Sequence, residues 1–189
     1  EMEETANPTP TKALGDILDL DDLHLEFAPD LVSMVLDAGT GLDARIANMR
    51  THIATSFGLI LPEIRLTDQA DLERGTYVVK VQGVEQVRGT LHPDMVLALM
   101  PDNHDALPPG TDVTEPVYGA PARWIVAAKQ QDAVLSGATV VTPPEILATH
   151  LLEVIKQNFA RLLTFKSLRR LLNEMTELTD PFRAEANRK

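Results

Sequence analysis

The sequence predicts an α+β fold built in layers, a mixed sheet or split βαβ arrangement rather than a helix bundle. Three observations carry that prediction: a helix of clear 3.6-residue period near residues 42–57, a run of short β-branched segments after it, and a second group of strands and helices beyond a long turn-rich stretch. The 189 residues suffice for one domain or two small ones sharing a core, and 44% hydrophobic content is ample for an interior.

Each element has a local reason. Residues 1–13, EMEETANPTPTKA, combine charge, Thr and Pro without periodicity and read as a linker, with order expected from Leu14. From Leu20 the pattern suits a strand with Leu23, Leu25 and Phe27 on one side and His24 and Glu26 on a wet face. Pro29 opens a short helix to about Leu36. In TGLDARIANMRTHIATSFG, Leu42, Ile46, Met49, Ile53 and Phe57 share one helical face; Thr40 with Asp43 resembles a capping box, and Gly58 stands where a left-handed terminator belongs. Strands are expected at Glu63–Leu66, Tyr77–Gln82, Glu85–Thr90 and Val96–Met100, the middle two forming a hairpin around Gly83.

Pro101 to Pro116 reads as one long loop, of a length often functional. A strand at about Ala122–Val126, a helix to Ser136 stopped by Gly137, and a short strand in ATVVT follow. Thr142-Pro143-Pro144-Glu145 starts a helix by the rules: Thr as N-cap, Pro in the first turn, Glu three residues on. Its stripe of Ile146, Leu147, Leu151, Val154, Ile155, Phe159 and Leu162 requires a substantial surface to cover it. The remainder reads as helical to about Leu178 and again from near Pro181, and its nearly non-apolar last helix looks like a cut inside a domain.

Composition narrows the chemistry. With no apolar run of 18 residues and no leader pattern, the chain reads as soluble, without a membrane span or signal peptide. Zero cysteines exclude disulfides, thiolate zinc sites and thiol catalysis, and suit a reducing compartment such as the cytoplasm. Net charge −11 argues against nucleic acid as a partner. Residues 1–40 carry ten Asp/Glu against Lys12 alone, whereas residues 150–189 carry five against eight basic side chains. Such opposed ends are either solvated faces or favour head-to-tail contact between copies.

His24, His52, His92, His104 and His150 have no helical-turn partner among themselves, so no metal site is expected. DILDLDD, Asp16 to Asp22, lacks the central Gly and closing Glu of a calcium loop, and DAGTGLDA lacks the Lys-Ser/Thr of a phosphate loop. Ser33, Ser56, Ser136 and Ser167 are the only serines, and none lies in a nucleophile elbow. No enzyme and no cofactor are therefore expected. Two classes stay open, a module that docks protein partners and a ligand-sensing or catalytic α+β domain with a hidden site; the lack of a titratable cluster favours the first.

One short stretch sharpens the choice. TEPVYGAPARWI places Tyr118, one of two tyrosines, in a turn punctuated by Pro116, Gly119 and Pro121. Such a ring is either a local core plug or a pre-ordered anchor for recognition. Thr149, one turn into its helix, has backbone bonding as the common fate of its hydroxyl.

The motifs GLDARIANMRTHIATSFGLILPEIRLTD, GVEQVRG, VYGAPARWI and EILATHLLEVIKQNF, in that order and spacing, resemble the cytoplasmic region of the FlhA family, export-gate proteins of bacterial flagellar and virulence type III secretion systems. The resemblance runs from about Leu14 to the end. It implies a fragment of a protein of the bacterial inner membrane, this part facing the cytoplasm, with a membrane region absent from the chain and a nine-membered ring in the full protein. It implies a linker at 1–13, a first α+β subdomain with a mixed sheet at 14–93 plus 143–162, a second small α+β subdomain inserted at 94–142, and the truncated start of a helical third at 163–189.

The resemblance also implies a dimple between the first two subdomains that receives export chaperones carrying late flagellar substrates, alongside contacts with other export-apparatus proteins. Its aromatic is Tyr118, its acidic residue Glu115, its hydroxyl Thr149, and its apolar positions Leu99, Pro101, Val141 and Ile146, with Ala120 smaller than is usual. Tyr stands where the family has Phe, and Glu where it often has Asp. Glu115 and Thr149 are expected to orient the partner, and relative motion of the subdomains to open or close the dimple.

Overall fold

The computed structural model describes residues 22–37, 39, 41–57, 61–100 and 106–162. The expected linker at 1–13, the ordered start at Leu14, the DILDLDD turn as far as Asp21, Thr40, the Phe57 side chain, Gly58, Pro101, His104 and the helices expected in 163–189 lie outside the described residues.

β1 (Leu23–Phe27) leads through a 3₁₀ turn at Pro29–Leu31 into α1 (Val32–Val35) and then α2 (Leu42–Phe57), before β2 (Ile64–Asp68) returns parallel to β1. This βαβ crossover is followed by β3 (Thr76–Val81) and β4 (Val84–Thr90), joined by the two-residue Gln82-Gly83 turn that hairpin twist favours. The first sheet is therefore mixed, in the order β2-β1-β3-β4. Alternation sends Leu23, Leu25 and Phe27 of β1 and Tyr77, Val79 and Val81 of β3 to one face, where all are buried.

The other face is drier than the alternation of β1 suggests. β1 is a central strand, and Glu26, 9% exposed, pairs with Lys80 at 2.6 Å while His24 Nε2 meets Thr67 Oγ1 at 2.9 Å. Polar side chains on neighbouring strands thus replace the water expected there.

β5 (Met95–Leu99), β6 (Thr111–Thr114), β7 (Pro121–Val126) and β8 (Thr139–Val141) form a second, antiparallel sheet in the order β6-β7-β5-β8. β6 corrects the single long loop expected from Pro101 to Pro116. TDVT is a four-residue edge strand with only Val113 partly buried, so its pattern was too short to stand out among turn formers. A 3₁₀ turn (Ala127–Lys129) and α3 (Gln130–Leu135) cross back to β8, with Gly137 at φ +88° between α3 and β8.

α4 (Pro143–Gln157) follows β8. Pro143 occupies its first turn, and the Glu145 carboxylate accepts the Thr142 N–H at 2.8 Å, relieving an orphan donor of the start. Its buried Leu147, Leu151, Val154 and Ile155 join one core cluster with Leu23, Leu25 and Tyr77 of the first sheet, Ile46, Met49 and Ile53 of α2, and Leu97, Ala122 and Trp124 of the second sheet. The opposite face of the second sheet covers a smaller cluster of Val96, Ala98, Leu107, Ile125, Ala133 and Ala138 under α3. Both sheets and α4 thus share one interior.

Candidate functional site

Tyr118 stands on the loop from β6 to β7 and is 70% exposed, which excludes the core-plug reading. The loop closes on itself: the Glu115 N–H donates to the Ala120 carbonyl at 2.8 Å, and the Gly119 N–H to the Glu115 carbonyl at 3.2 Å. Gly119 sits at φ +74°, a conformation in which a side chain would be strained.

Glu115 folds beneath that loop. Its carboxylate accepts the backbone N–H groups of Val117 at 2.7 Å, Tyr118 at 2.6 Å and Ala120 at 3.2 Å, and the residue is only 6% exposed. Charge-assisted bonds of this kind are the strong ones, so Glu115 locks the backbone that presents Tyr118. The partner-orienting role expected for it from the sequence meets a carboxylate already engaged by its own loop.

The Tyr118 hydroxyl donates to Glu153 Oε1 on α4 at 3.1 Å, and the same oxygen takes Lys156 Nζ at 2.9 Å. Desolvation first, and then this bond, lift the phenol above its ordinary 10. Lys156 above all holds the Glu153 carboxyl below the ordinary carboxylate range.

Inside lies a second polar pair. Tyr77 on β3 is fully buried, and its hydroxyl meets His150 Nδ1 on α4 at 2.6 Å, the two rings packing edge to face with centroids 5.7 Å apart. Burial, followed by the Glu115 charge, raises the Tyr77 phenol far above its ordinary value. Burial also holds the His150 imidazole below 6.5, with the Glu115 charge opposing it. First sheet, α4 and the β6–β7 loop therefore meet electrostatically under Tyr118.

The remaining expected positions are less accessible. Leu99 on β5 and Val141 on β8 are half-buried on the sheet face that turns toward the main core, and Ile146 in α4 is 3% exposed. The Thr149 hydroxyl donates to the Glu145 carbonyl at 2.7 Å, the backbone fate common to helical threonines. Tyr118 is exposed and Leu99 and Val141 are half-buried, whereas Ile146 is buried in the core and Glu115 and Thr149 are internally bonded. Among the described residues, no group of three or more His, Asp or Glu side chains could hold a metal ion, and no helix is long and apolar enough to cross a membrane.

Sequence reasoning left out Glu153 and the Tyr77–His150 pair. His150 was legible only as a helical histidine with a hydrogen-bond partner or a surface place, because the partner lies 73 residues away. The pair carries a pH dependence. His150 has its affinity for a proton depressed by folding, so the unfolded chain takes up the proton first as pH falls. Stability is therefore full above about 6.5 and declines as pH drops from there through the lower native value. Urea midpoints measured at pH 7.5 and 5.5 are expected to differ by less in His150→Gln than in the unaltered chain.

The architecture matches solved structures of one class. CdsV of Chlamydia pneumoniae superposes with a TM-score of 0.66 at 23% identity, over 84% of this chain and 51% of that one. A cytoplasmic domain of Salmonella InvA superposes with a TM-score of 0.56 at 14% identity, over 86% of this chain and 97% of that one. At these identities the likeness concerns the fold, the α+β fold of such cytoplasmic domains.

The sequence carries the assignment further. Residues 1–187 match the model of the FHIPEP family, and the chain belongs to that family. The flagellar biosynthesis protein FlhA of Bacillus subtilis (strain 168) is 32% identical over 179 residues, 94% of this chain but 26% of that protein. The chain thus spans about a quarter of the length of that relative.

Proposed function

We propose that this chain is part of the cytoplasmic platform of a flagellar protein-export gate, where it docks export chaperones carrying late substrates and hands those substrates toward the membrane channel. One observation carries the reading: a large aromatic side chain held exposed on a loop that its own buried carboxylate locks. A locked loop loses little entropy on docking, and an aromatic anchor gains most from burial in a partner. The partner lays an apolar segment over Tyr118 and the seam of Leu99 and Val141, with Thr149 at its margin.

The mechanism is reversible binding and release without bond-making chemistry. Belonging to the FHIPEP family, with a flagellar relative at 32% identity, supports the flagellar reading over the virulence one. In the full protein this part faces the cytoplasm below an inner-membrane region and joins a homo-oligomeric ring with other export-apparatus proteins nearby. The loop held by Glu115 presents Tyr118 to the partner without rearranging. Calorimetric titration of the folded chain with a purified flagellar chaperone–cargo complex tests the reading: saturable heat is expected, and its absence sinks it.

A further inference from the structure

We propose that Glu153 is a positioning residue for Tyr118, holding the exposed ring against α4 in one orientation so that it meets a partner already ordered. The inference rests on the docking reading above and adds to it a residue on a different element.

The loop bonds of Glu115 fix the Tyr118 backbone but leave the two side-chain torsions free. A tyrosine that is 70% exposed has little packing to fix them. The bond from its hydroxyl to Glu153 Oε1 at 3.1 Å supplies the missing restraint, across 35 residues and two elements. Glu153 is itself held, since Lys156 one turn further along α4 donates to the same oxygen at 2.9 Å, and its side chain is 22% exposed. Lysine steadies the carboxylate and the carboxylate steadies the ring. A phenylalanine at this position would have no such handle, so the hydroxyl of Tyr118 has a use that its ring alone does not.

Restraining one side chain before binding is worth about 2- to 12-fold in affinity. The test is a double-mutant cycle on the 189-residue chain, with a purified flagellar chaperone–cargo complex as titrant. Glu153→Ala is expected to weaken binding by that factor, and Glu153→Gln, which keeps an acceptor without the charge, to restore most of it. In a Tyr118→Phe background, Glu153→Ala is expected to cost nothing more. Carbon-13 labelling of the two tyrosine rings gives a reading independent of the partner: the high-pH titration of Tyr118 falls toward 10 in Glu153→Ala while that of Tyr77 stays.

Loss of binding in Tyr118→Asp with unaltered binding in Glu153→Ala overturns the positioning role and leaves the docking reading standing. An equal loss from Glu153→Ala in the Tyr118→Phe background also overturns it, because Glu153 would then touch the partner directly. An unmoved Tyr118 titration means that the bond is absent in solution, and it too overturns the positioning role. Binding unaffected by Tyr118→Asp takes Tyr118 out of the docking surface and overturns this inference, whereas binding absent from the unaltered chain removes the docking reading with it.

Discussion

Tyr118→Asp is expected to abolish saturable binding of a flagellar chaperone–cargo complex while the chain stays folded. Aromatic anchors at the centre of a protein interface cost about 2 kcal/mol or more when lost, roughly 30-fold in affinity. Aspartate goes further than truncation, since it sets a carboxylate on the loop next to Glu153 and asks a partner's apolar segment to desolvate it. Folding is spared because the side chain is 70% exposed and the loop is held through backbone N–H groups, which aspartate also has. Exposed substitutions away from special features shift stability by about 0.5 kcal/mol or less. Calorimetry reads the affinity and circular dichroism the fold. Equal binding by mutant and unaltered chain would move the docking surface to another face.

Gly89→Ala is expected to be strongly destabilising. Gly89 on β4 lies directly across from Tyr77 on β3, and the Tyr77 ring lies over it. A Cβ there would stand 2.5 Å from the ring carbon bearing the hydroxyl and 2.7 Å from its neighbour, inside any real contact distance. The ring cannot retreat, because it is fully buried and tied to His150 at 2.6 Å. Overpacking costs about 1–3 kcal/mol, and breaking a buried hydrogen bond adds about 1–3 kcal/mol. A total near 3 kcal/mol lowers the midpoint of thermal unfolding by about 6–12 °C in a chain of this size. In a Tyr77→Leu background, which removes the clashing atoms, the further cost of Gly89→Ala should shrink to under about 1 kcal/mol. If Gly89→Ala leaves the melting temperature unchanged, Tyr77 is not held as described.

Much of the framework could be read from residue patterns. The face of Leu42, Ile46, Met49 and Ile53 and the Thr142-Pro143-Pro144-Glu145 start specify their helices through spacing and capping, which are local. Strands β2 to β5 and β7 fall within about a residue or two of their expected bounds, the usual uncertainty of ends. β6 escaped because four residues at a sheet edge carry almost no pattern, and the dry face of β1 because strand order decides which side chains lie beside Glu26.

The site divides in the same way. Tyr118 was legible from the punctuation around it, Pro116 and Gly119, which marks a turn whatever the fold. The occupation of Glu115 was not, since an acidic residue that wraps its own loop has the same letter as one facing water. Glu153 and His150 matter because α4 packs where it does, and that position depends on Leu147, Leu151 and Ile155 meeting both sheets. Side chains whose meaning comes from distant neighbours carry no local signature.

The shared interior also has a place in time. Leu23, Leu25 and Phe27 open the described chain, and Leu147, Leu151, Val154 and Ile155 of α4 close it, yet all belong to one cluster. Contacts so far apart in sequence form late, because the entropy of closing the loop must be met before they contribute. On a ribosome, the β3–β4 hairpin and the second sheet emerge while the apolar face of the first sheet still lacks α4. Tyr118 is then without Glu153, and Tyr77 without His150, since both partners sit on α4, which follows them in the chain. A nascent or truncated chain without that helix has neither contact.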